Sequence, residues 1–298
     1  MKIPHFPKVI RIEPASQCNL MCSHCPTGTI DMNRGIMDHQ VFEKILGEIK
    51  RYKDYVKVIV LYHGGEPLLN KKMFDMIEQL KKFKSDLFIK TVSNGMALNE
   101  KNSDKILNSN LDLIEFSLDG NSAKESEEIR IGSKTDKILS NIYYLLKKRD
   151  SKKSKLKVEI TTTQFFDPKK PKKKPTAPNW LKKVFENFNV GFKPTFAYLW
   201  PHIDLKNKYS IFHQDNGEKN YCDHIINTIS IRANGDVVAC CYDLTSKLVT
   251  GNINKNSIKN IWDGQKYLIL RSQIENNTPP KICSKCSVIR PNYYILKN

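Results

Sequence analysis

The feature that most limits the fold of this chain is a regular alternation of apolar, strand-like segments with amphipathic, helix-like segments. The pattern predicts six strands, at 8–13, 56–62, 87–92, 112–118, 156–163 and 191–197. It predicts intervening helices at 38–50, 70–82, 99–109, 135–148 and 178–188. Asp38 is a suitable N-cap for the first helix, whose apolar face includes Val41, Phe42 and Ile45. Such alternation implies an α/β fold in which helices pack outside a parallel sheet.

Three cysteines follow the first predicted strand in a C-x₃-C-x₂-C run, Cys18, Cys22 and Cys25. Thiolates are the usual protein ligands of iron–sulfur clusters, and three on one short loop can hold three irons of a cubane cluster. The fourth iron would then be open for chemistry. A structural zinc site normally needs four closed ligands, and His24, placed between two cysteines, has poor geometry for the fourth. The run therefore favours a cluster.

A second motif, HGGEP at 63–67, follows the second predicted strand. Its glycines let the backbone approach a ligand where a Cβ would clash. With the cysteine run, this motif makes the sequence resemble the radical S-adenosylmethionine (radical SAM) superfamily, whose members carry both motifs in this order. Matching stretches continue with SNG at 93–95 and FSLDG at 116–120, and the resemblance to the catalytic half covers about residues 8–200.

The resemblance implies a partial (β/α)6 TIM-like barrel, with its functional groups at the C-terminal ends of the strands. It also implies a [4Fe-4S] cluster on the three cysteines, with S-adenosyl-L-methionine bound at the open iron. An electron passed to the sulfonium would release a 5′-deoxyadenosyl radical, which removes hydrogen from an unactivated C–H bond.

The resemblance also assigns cofactor contacts to individual residues. The methionine amino group would be contacted by the segment 64–67, which consists of Gly64, Gly65, Glu66 and Pro67. The Glu66 carboxylate would be its charge partner. Ser117 and Arg130 would hold the methionine carboxylate, which suits guanidinium geometry. Asn94 would contact the ribose, and His24 would pack beside the cofactor.

Five further cysteines lie in the C-terminal part: Cys222, Cys240, Cys241, Cys283 and Cys286. An Asn-Gly pair at 234–235 between β-forming residues predicts a hairpin before the adjacent cysteines. Consecutive side chains of a strand face opposite sides, so Cys240 and Cys241 can hardly both join one site. On chemistry alone, the resulting four thiolates suit a zinc ion and an iron–sulfur cluster equally well.

This arrangement resembles the twitch domain, the short form of the SPASM domain that follows the barrel in some radical SAM enzymes. The resemblance implies an auxiliary [4Fe-4S] cluster on Cys222, Cys240, Cys283 and Cys286. The predicted organisation is a barrel at 1–200, a polar connection at 201–221, and a small twitch/SPASM-type domain at 222–298. That last part reads as a β-hairpin, a loop and one helix near 257–274.

Composition restricts the environment and the partners. The net charge of +18 comes from 49 basic and 31 acidic residues, mostly lysine spread over helix faces, so nucleic acid is an unlikely partner. A proline-broken basic loop at 169–175 is expected to be a surface loop. Eight cysteines spaced like metal ligands do not form a disulfide scaffold. Because the sequence has no signal-like or membrane-spanning apolar stretch, the protein is expected in the cytoplasm. Its positive charge favours encounter with an acidic electron donor, such as a flavodoxin or ferredoxin.

The cysteine spacing resembles that of the radical SAM dehydrogenases that carry a twitch domain. It implies oxidation of a small polar substrate, such as a sugar or cyclitol, with the auxiliary cluster as electron acceptor. The sequence singles out no catalytic base, although Lys193 and His202 lie in the right region.

Three alternatives remain. Peptide maturation is disfavoured because the chain reaches its first strand almost immediately, leaving no room for a leader-binding domain. Epimerisation would need a hydrogen donor, for which Cys241 is available. A zinc-bound RNA-binding protein would explain the positive charge but neither the cysteine run nor the HGGEP motif.

Overall fold

The computed structural model describes residues 2–164, 175–196, 220–284, 286, 288 and 289. His202, the basic loop except Pro175, and all but the last two residues of the predicted connection lie outside the described residues. None of the described helices combines the length and the apolar character that a bilayer crossing requires.

The sheet confirms the predicted alternation. Its strands are β1 (Val9–Ile12), β2 (Val58–Leu61), β3 (Phe88–Ser93), β4 (Leu113–Ser117), β5 (Lys157–Gln164), β6 (Gly191–Phe196), β7 (Thr228–Ile231), β8 (Asp236–Val238) and β9 (Val249–Asn252). Strands β1 to β6 pair in parallel in sequence order, as a partial (β/α)6 barrel requires. The predicted hairpin is present as the antiparallel pair β7–β8.

The helices pack outside the sheet. They are α1 (Pro26–Thr29), α2 (His39–Arg51), a 3-10 helix (Pro67–Leu69), α3 (Met73–Phe83), α4 (Glu100–Asn108), α5 (Ala123–Ile129), α6 (Thr135–Ser151), α7 (Asn179–Val184), α8 (Asp223–Asn227), α9 (Ile258–Trp262) and α10 (Gln265–Glu275). The predicted cap of α2 is confirmed, because the Asp38 side chain accepts a hydrogen bond from the Gln40 backbone N–H. Helix α5 was not predicted. Its signal is Ser122, which caps the Glu125 backbone N–H at the spacing of a capping box.

The C-terminal part differs from the prediction in three ways. The single helix expected near 257–274 is two helices, because Gly264 between α9 and α10 has an extended backbone at φ −70° and ψ 156°. Strand β7 pairs in parallel with β1, so the C-terminal strands continue the barrel sheet beyond its first strand. The hairpin also gains a third strand, β9, paired with β8.

The main core fills the space between the sheet and its helices. On β1, Ile10 and Ile12 are fully buried in it, together with Phe42 of α2 and Trp262 of α9. Side chains alternate along a strand, so Arg11, between the two isoleucines, faces the barrel interior. Along β1, therefore, the apolar side chains pack against the helices, and the Arg11 side chain lines a central cavity.

Candidate active site

A cavity of about 290 Å³ opens at the C-terminal ends of the barrel strands. Its wall includes the cysteine run and most of the predicted cofactor contacts: Cys18, Cys22, Cys25, His24, Gly64, Gly65, Glu66, Asn94, Ser117 and Arg130. Pro67 does not line it and instead begins the buried 3-10 helix. A larger open groove of about 1100 Å³ lies at the opposite ends of β4 and β5 and contains no cysteine. The smaller cavity is therefore the candidate active site.

The cysteine loop is shaped by backbone contacts. The Cys25 N–H donates to the Cys22 carbonyl at 3.1 Å, and the Met21 N–H donates to the Ile131 carbonyl at 2.9 Å. Gly28 of α1 packs so closely that a Cβ there would lie 2.7 Å from the Cys22 nitrogen. Sequence reasoning missed Gly28, although a glycine three residues after the last cysteine was visible. Helix α1 thus packs closely against the cysteine loop next to the turn between Cys22 and Cys25.

The thiols of this loop suit a metal cluster. Burial raises the pKa of Cys22 to about 12 and also raises that of Cys18. The Arg130 charge opposes both shifts. Among the described residues no three His, Cys, Asp or Glu side chains converge as a single metal ion requires. The irons of a cubane cluster occupy separate corners, so three spaced thiols beside open volume fit that group, which binds them as thiolates.

Glu66 is fully buried and links the HGGEP motif to β3. Its Oε1 accepts from Ser93 Oγ at 2.9 Å and from the Leu68 N–H at 3.0 Å, and its Oε2 accepts from the Asn94 N–H at 2.7 Å. Burial raises the pKa of Glu66, and these hydrogen bonds oppose the rise. The carboxylate is therefore held in one orientation at the cavity wall, and it also caps the 3-10 helix.

The glycines of the HGGEP motif pack against the segment that enters the cysteine loop. A Cβ on Gly65 would lie 2.3 Å from the Ala15 carbonyl oxygen and 2.4 Å from that of Gln17. The Glu66 N–H donates to the Gln17 carbonyl at 2.8 Å, and Thr27 Oγ1 donates to the Gly64 carbonyl. The close backbone approach predicted for these glycines is thus made to the protein itself.

Arg130 forms a buried ion pair that sequence reasoning did not identify. Its Nη1 lies 2.7 Å from Asp119 Oδ2, and His24 Nε2 lies 3.8 Å from the same oxygen. Burial tends to raise the pKa of Asp119, but the charges of Arg130 and His24 and a hydrogen bond from the Thr163 N–H lower it overall. Burial lowers the pKa of His24. Ser117 lies at the end of β4, two residues before Asp119.

Asn94 joins β3 to the cysteine loop. Its Nδ2 donates to Asn19 Oδ1 at 2.8 Å and lies 3.7 Å from Cys18 Sγ. Its Oδ1 accepts from the Met96 N–H at 2.9 Å. The side chain that the family resemblance places at the ribose thus also supports the first cysteine.

Glu13 connects the barrel to the C-terminal strands. It accepts from the Gly64 N–H at 2.9 Å and the Ala233 N–H at 3.0 Å, and it pairs with Arg232 at 3.3 Å and His63 at 3.4 Å. Burial alone would raise the pKa of Glu13, but these partners lower it to about 2. Sequence reasoning missed Glu13 because its partners lie far away in the chain.

The C-terminal cysteines separate into two environments. Cys222 belongs to a small apolar cluster with Ile225 and Leu270, and Cys283 and Cys286 pack against its edge. Burial raises the pKa of Cys222 to about 11 and that of Cys283 to about 12. Cys222, Cys283 and Cys286 therefore share one apolar environment.

The adjacent pair was predicted within a strand but lies in the turn that follows β8. Cys240 is half-buried, and desolvation raises its pKa, with further contributions from Cys241, Cys222 and Cys283. Cys241 instead lines the central cavity, with its Sγ 3.8 Å from His224 Nδ1. Burial opposes ionisation of Cys241, but Arg11 and His224 lower its pKa to about 6. The expected divergence of the pair is therefore present without a strand.

Comparison with known proteins agrees with these features. The model of the radical SAM superfamily matches residues 12–162, and that of an iron–sulfur cluster-binding domain, SPASM, matches residues 222–287. The chain therefore belongs to the radical SAM superfamily. Its catalytic domain binds a [4Fe-4S] cluster and S-adenosylmethionine, and its SPASM domain binds auxiliary iron–sulfur.

Two relatives show how wide the family is. The chain is 24% identical over 318 residues to the tungsten-containing aldehyde ferredoxin oxidoreductase cofactor-modifying protein of Pyrococcus furiosus, covering 94% of this chain and 87% of that protein. It is 27% identical over 139 residues to the GTP 3′,8-cyclase of Campylobacter jejuni, covering 45% of this chain and 41% of that protein.

Solved structures share the fold. BtrN in complex with AdoMet and 2-DOIA superposes with a TM-score of 0.58 at 17% identity, covering 94% of this chain and 93% of BtrN. Streptococcus suis SuiB bound to the precursor peptide SuiA superposes with a TM-score of 0.62 at 16% identity, covering 99% of this chain and 74% of SuiB. At these identities the likeness shows the fold alone.

Proposed function

We propose that this protein is a radical SAM oxidoreductase that oxidises a small polar molecule, such as a sugar or a cyclitol. One observation carries the proposal: Cys241 and Tyr242, which directly follow Cys240, line the same cavity as Cys18, Cys22 and Cys25. A substrate in this cavity would lie between the two cysteine sets.

The roles of the residues follow from their placement. Cys18, Cys22 and Cys25 would hold the catalytic cluster, which with bound S-adenosylmethionine supplies a 5′-deoxyadenosyl radical for hydrogen abstraction. Glu66, fixed by three donors, would receive the methionine amino group beside Gly64 and Gly65.

The remaining predicted contacts would surround the same cofactor. Arg130 has a buried Nε without a hydrogen-bond partner among the described residues, which leaves one edge of its guanidinium for the methionine carboxylate beside Ser117. Asn94 would contact the ribose, and His24 would pack beside the cofactor. Pro67 would act indirectly, by starting the helix that Glu66 caps.

Oxidation of an alcohol carbon to a ketone removes two electrons and two protons. One electron and one proton leave together as the abstracted hydrogen atom, and the second proton leaves from the hydroxyl group to water. The second electron needs an acceptor, and holding that acceptor is the role that we propose for Cys222, Cys240, Cys283 and Cys286. The abundance of lysine favours encounter with an acidic electron donor, such as a flavodoxin or ferredoxin.

The test is product analysis with the anaerobically reconstituted enzyme, S-adenosylmethionine and a reductant. A panel of sugars and cyclitols is compared with peptides, and both 5′-deoxyadenosine and oxidised product are measured. We expect one ketone per 5′-deoxyadenosine with a sugar or cyclitol. The double variant Cys283→Ala/Cys286→Ala should still form 5′-deoxyadenosine but lose the ketone. Turnover with peptides alone would contradict the proposal and favour a maturase, as SuiB bound to its precursor peptide illustrates.

Epimerisation is a second candidate, favoured by one observation. Cys241 lines the cavity, where its thiol could return a hydrogen atom to a substrate radical. The thiyl radical left behind would be restored by one electron from the auxiliary cluster and one proton from water. In deuterated water an epimerase would deliver one deuterium to the product and would stop at the radical stage in Cys241→Ser. A dehydrogenase would give an undeuterated ketone.

A further inference from the structure

The wall of the cavity contains a group of charged side chains to which no cofactor contact is assigned. Glu115 on β4 is at its centre and is almost fully buried. Lys90 Nζ on β3 lies 2.6 Å from Glu115 Oε1, and Lys193 Nζ on β6 lies 3.0 Å from Glu115 Oε2. Thr161 Oγ1 on β5 donates to the same Oε2 at 3.1 Å. All four residues line the cavity.

Arg11 on β1 adds a third positive charge to this wall. Its Nη1 donates to the Tyr62 carbonyl at 3.2 Å, whereas its Nε is buried and has no hydrogen-bond partner among the described residues. A buried guanidinium nitrogen without an acceptor is costly, unless a ligand supplies that acceptor. Arg11 therefore points to a bound group that accepts hydrogen bonds.

Positive side chains predominate in this group. Arg11, Lys90 and Lys193 contribute three positive charges, and Glu115 contributes one negative charge. Elsewhere on the cavity Arg130 pairs with Asp119, whereas Glu66 accepts hydrogen bonds from uncharged donors only. Arg11, Lys90, Lys193 and Glu115 by themselves therefore carry an excess of two positive charges.

We propose that Arg11, Lys90 and Lys193 form an anion subsite that binds a carboxylate or phosphate group of the substrate. The inference rests on the proposed function, because it assumes that the substrate occupies this cavity. It narrows the substrate class from small polar molecules to sugars or cyclitols that carry an anionic group. Glu115 acts as a positioning residue, since it holds both ammonium groups at the wall.

The test is anaerobic titration calorimetry of the reconstituted enzyme with S-adenosylmethionine, in a buffer without phosphate. Four probes share one ring and differ in charge: glucose, glucosamine, glucuronate and glucose 6-phosphate. We expect at least one anionic probe to bind about tenfold or more tightly than glucose, which corresponds to about 1.4 kcal/mol. The stronger of the two anions identifies the source of the charge as carboxylate or phosphate.

Variants assign the effect to the subsite. Arg11→Gln and Lys193→Gln should each weaken binding of the anionic probe about tenfold and leave glucose unchanged. Lys157→Gln is the matched control, because Lys157 is an exposed lysine of β5 that does not line the cavity. Its binding should equal that of the wild type.

Several outcomes would overturn the inference. Equal binding of all four probes, tightest binding of glucosamine, or no binding of either anion at millimolar concentration would each contradict an anion subsite. So would equal weakening in Lys193→Gln and Lys157→Gln. The binding measurement does not depend on radical chemistry. Anion preference without oxidation would therefore contradict the proposed function alone, and oxidation without anion preference would contradict the subsite alone.

Discussion

The two cysteine sets of this protein are built in different ways. Cys18, Cys22 and Cys25 lie on one loop between β1 and α1, which is shaped by a local backbone hydrogen bond from Cys25 to Cys22 and by one from Met21 to Ile131. The C-terminal set is assembled from three separate segments of residues 222–286, around a small apolar cluster. The first set is a local motif supported by its surroundings, whereas the second exists only when the C-terminal fold brings its members together.

The surroundings of the two sets differ as well. The first set faces a polar cavity with Arg130 and Glu66 on its wall. The second set packs against aliphatic side chains such as Ile225 and Leu270. The first set therefore borders a cavity that can admit a cofactor, whereas three cysteines of the second set border an apolar cluster.

The largest difference in iron content is expected between substitutions of the adjacent cysteines, Cys240 and Cys241. Cys240→Ser should remove the auxiliary cluster and about four irons, because Cys240 faces the C-terminal set. Cys241→Ser is the matched control and should keep all the iron, since Cys241 faces the cavity. Iron and sulfide analysis after anaerobic reconstitution measures both. Iron loss in Cys241→Ser alone would reverse the assignment.

A smaller effect is expected where the two regions meet. Glu13→Gln should lower the free energy of unfolding by about 3–5 kcal/mol, because it leaves the buried Arg232 without its charge partner. The folded-state pKa of Glu13, about 2, lies below its ordinary 4.5. Its contribution is therefore complete near neutral pH and is lost only as the pH falls from 4.5 through 2.

Urea denaturation near neutral pH measures this loss. The control is Glu43→Gln on the exposed side of α2, which should change the free energy of unfolding by less than about 0.5 kcal/mol. Equal effects of the two substitutions would show that Glu13 does not hold the barrel and the C-terminal strands together.

The smallest effect concerns two glycines. Gly65→Ala should destabilise by about 1–3 kcal/mol, since its Cβ would meet the backbone carbonyls of Ala15 and Gln17. It should also reduce the iron of the first set by displacing the loop. Gly47→Ala in α2 has nothing within 4 Å of the added Cβ and should stabilise by about 0.5–1 kcal/mol. Thermal unfolding measures the change in stability, and iron analysis measures the occupancy of the first set. A Gly65→Ala variant with wild-type stability and a full iron content would contradict the close packing.

The sequence predicted those parts of the molecule that depend on local patterns. The six parallel strands follow from apolar runs, and the cap at Asp38 follows from its position before an amphipathic segment. Helix α5 was missed because seven residues are too few for a clear period. The division into α9 and α10 was missed because Gly264 is compatible with one helix or two.

The missed site residues depend on long-range pairing. Glu13 and Arg232 are 219 residues apart and meet only because β7 pairs with β1. Lys90, Glu115 and Lys193 lie on three strands, and only the sheet register makes them neighbours. No local pattern marks such a group in advance.

The most direct test of the central claim is the iron and sulfide content of the reconstituted protein. The wild type is compared with the triple variant Cys18→Ala/Cys22→Ala/Cys25→Ala. Two separate cysteine sets predict about eight irons in the wild type and about four in the variant, which should form no 5′-deoxyadenosine. About four irons in the wild type and none in the variant, with one zinc in both, would contradict an auxiliary cluster. The electron acceptor of the proposed oxidation would then be missing.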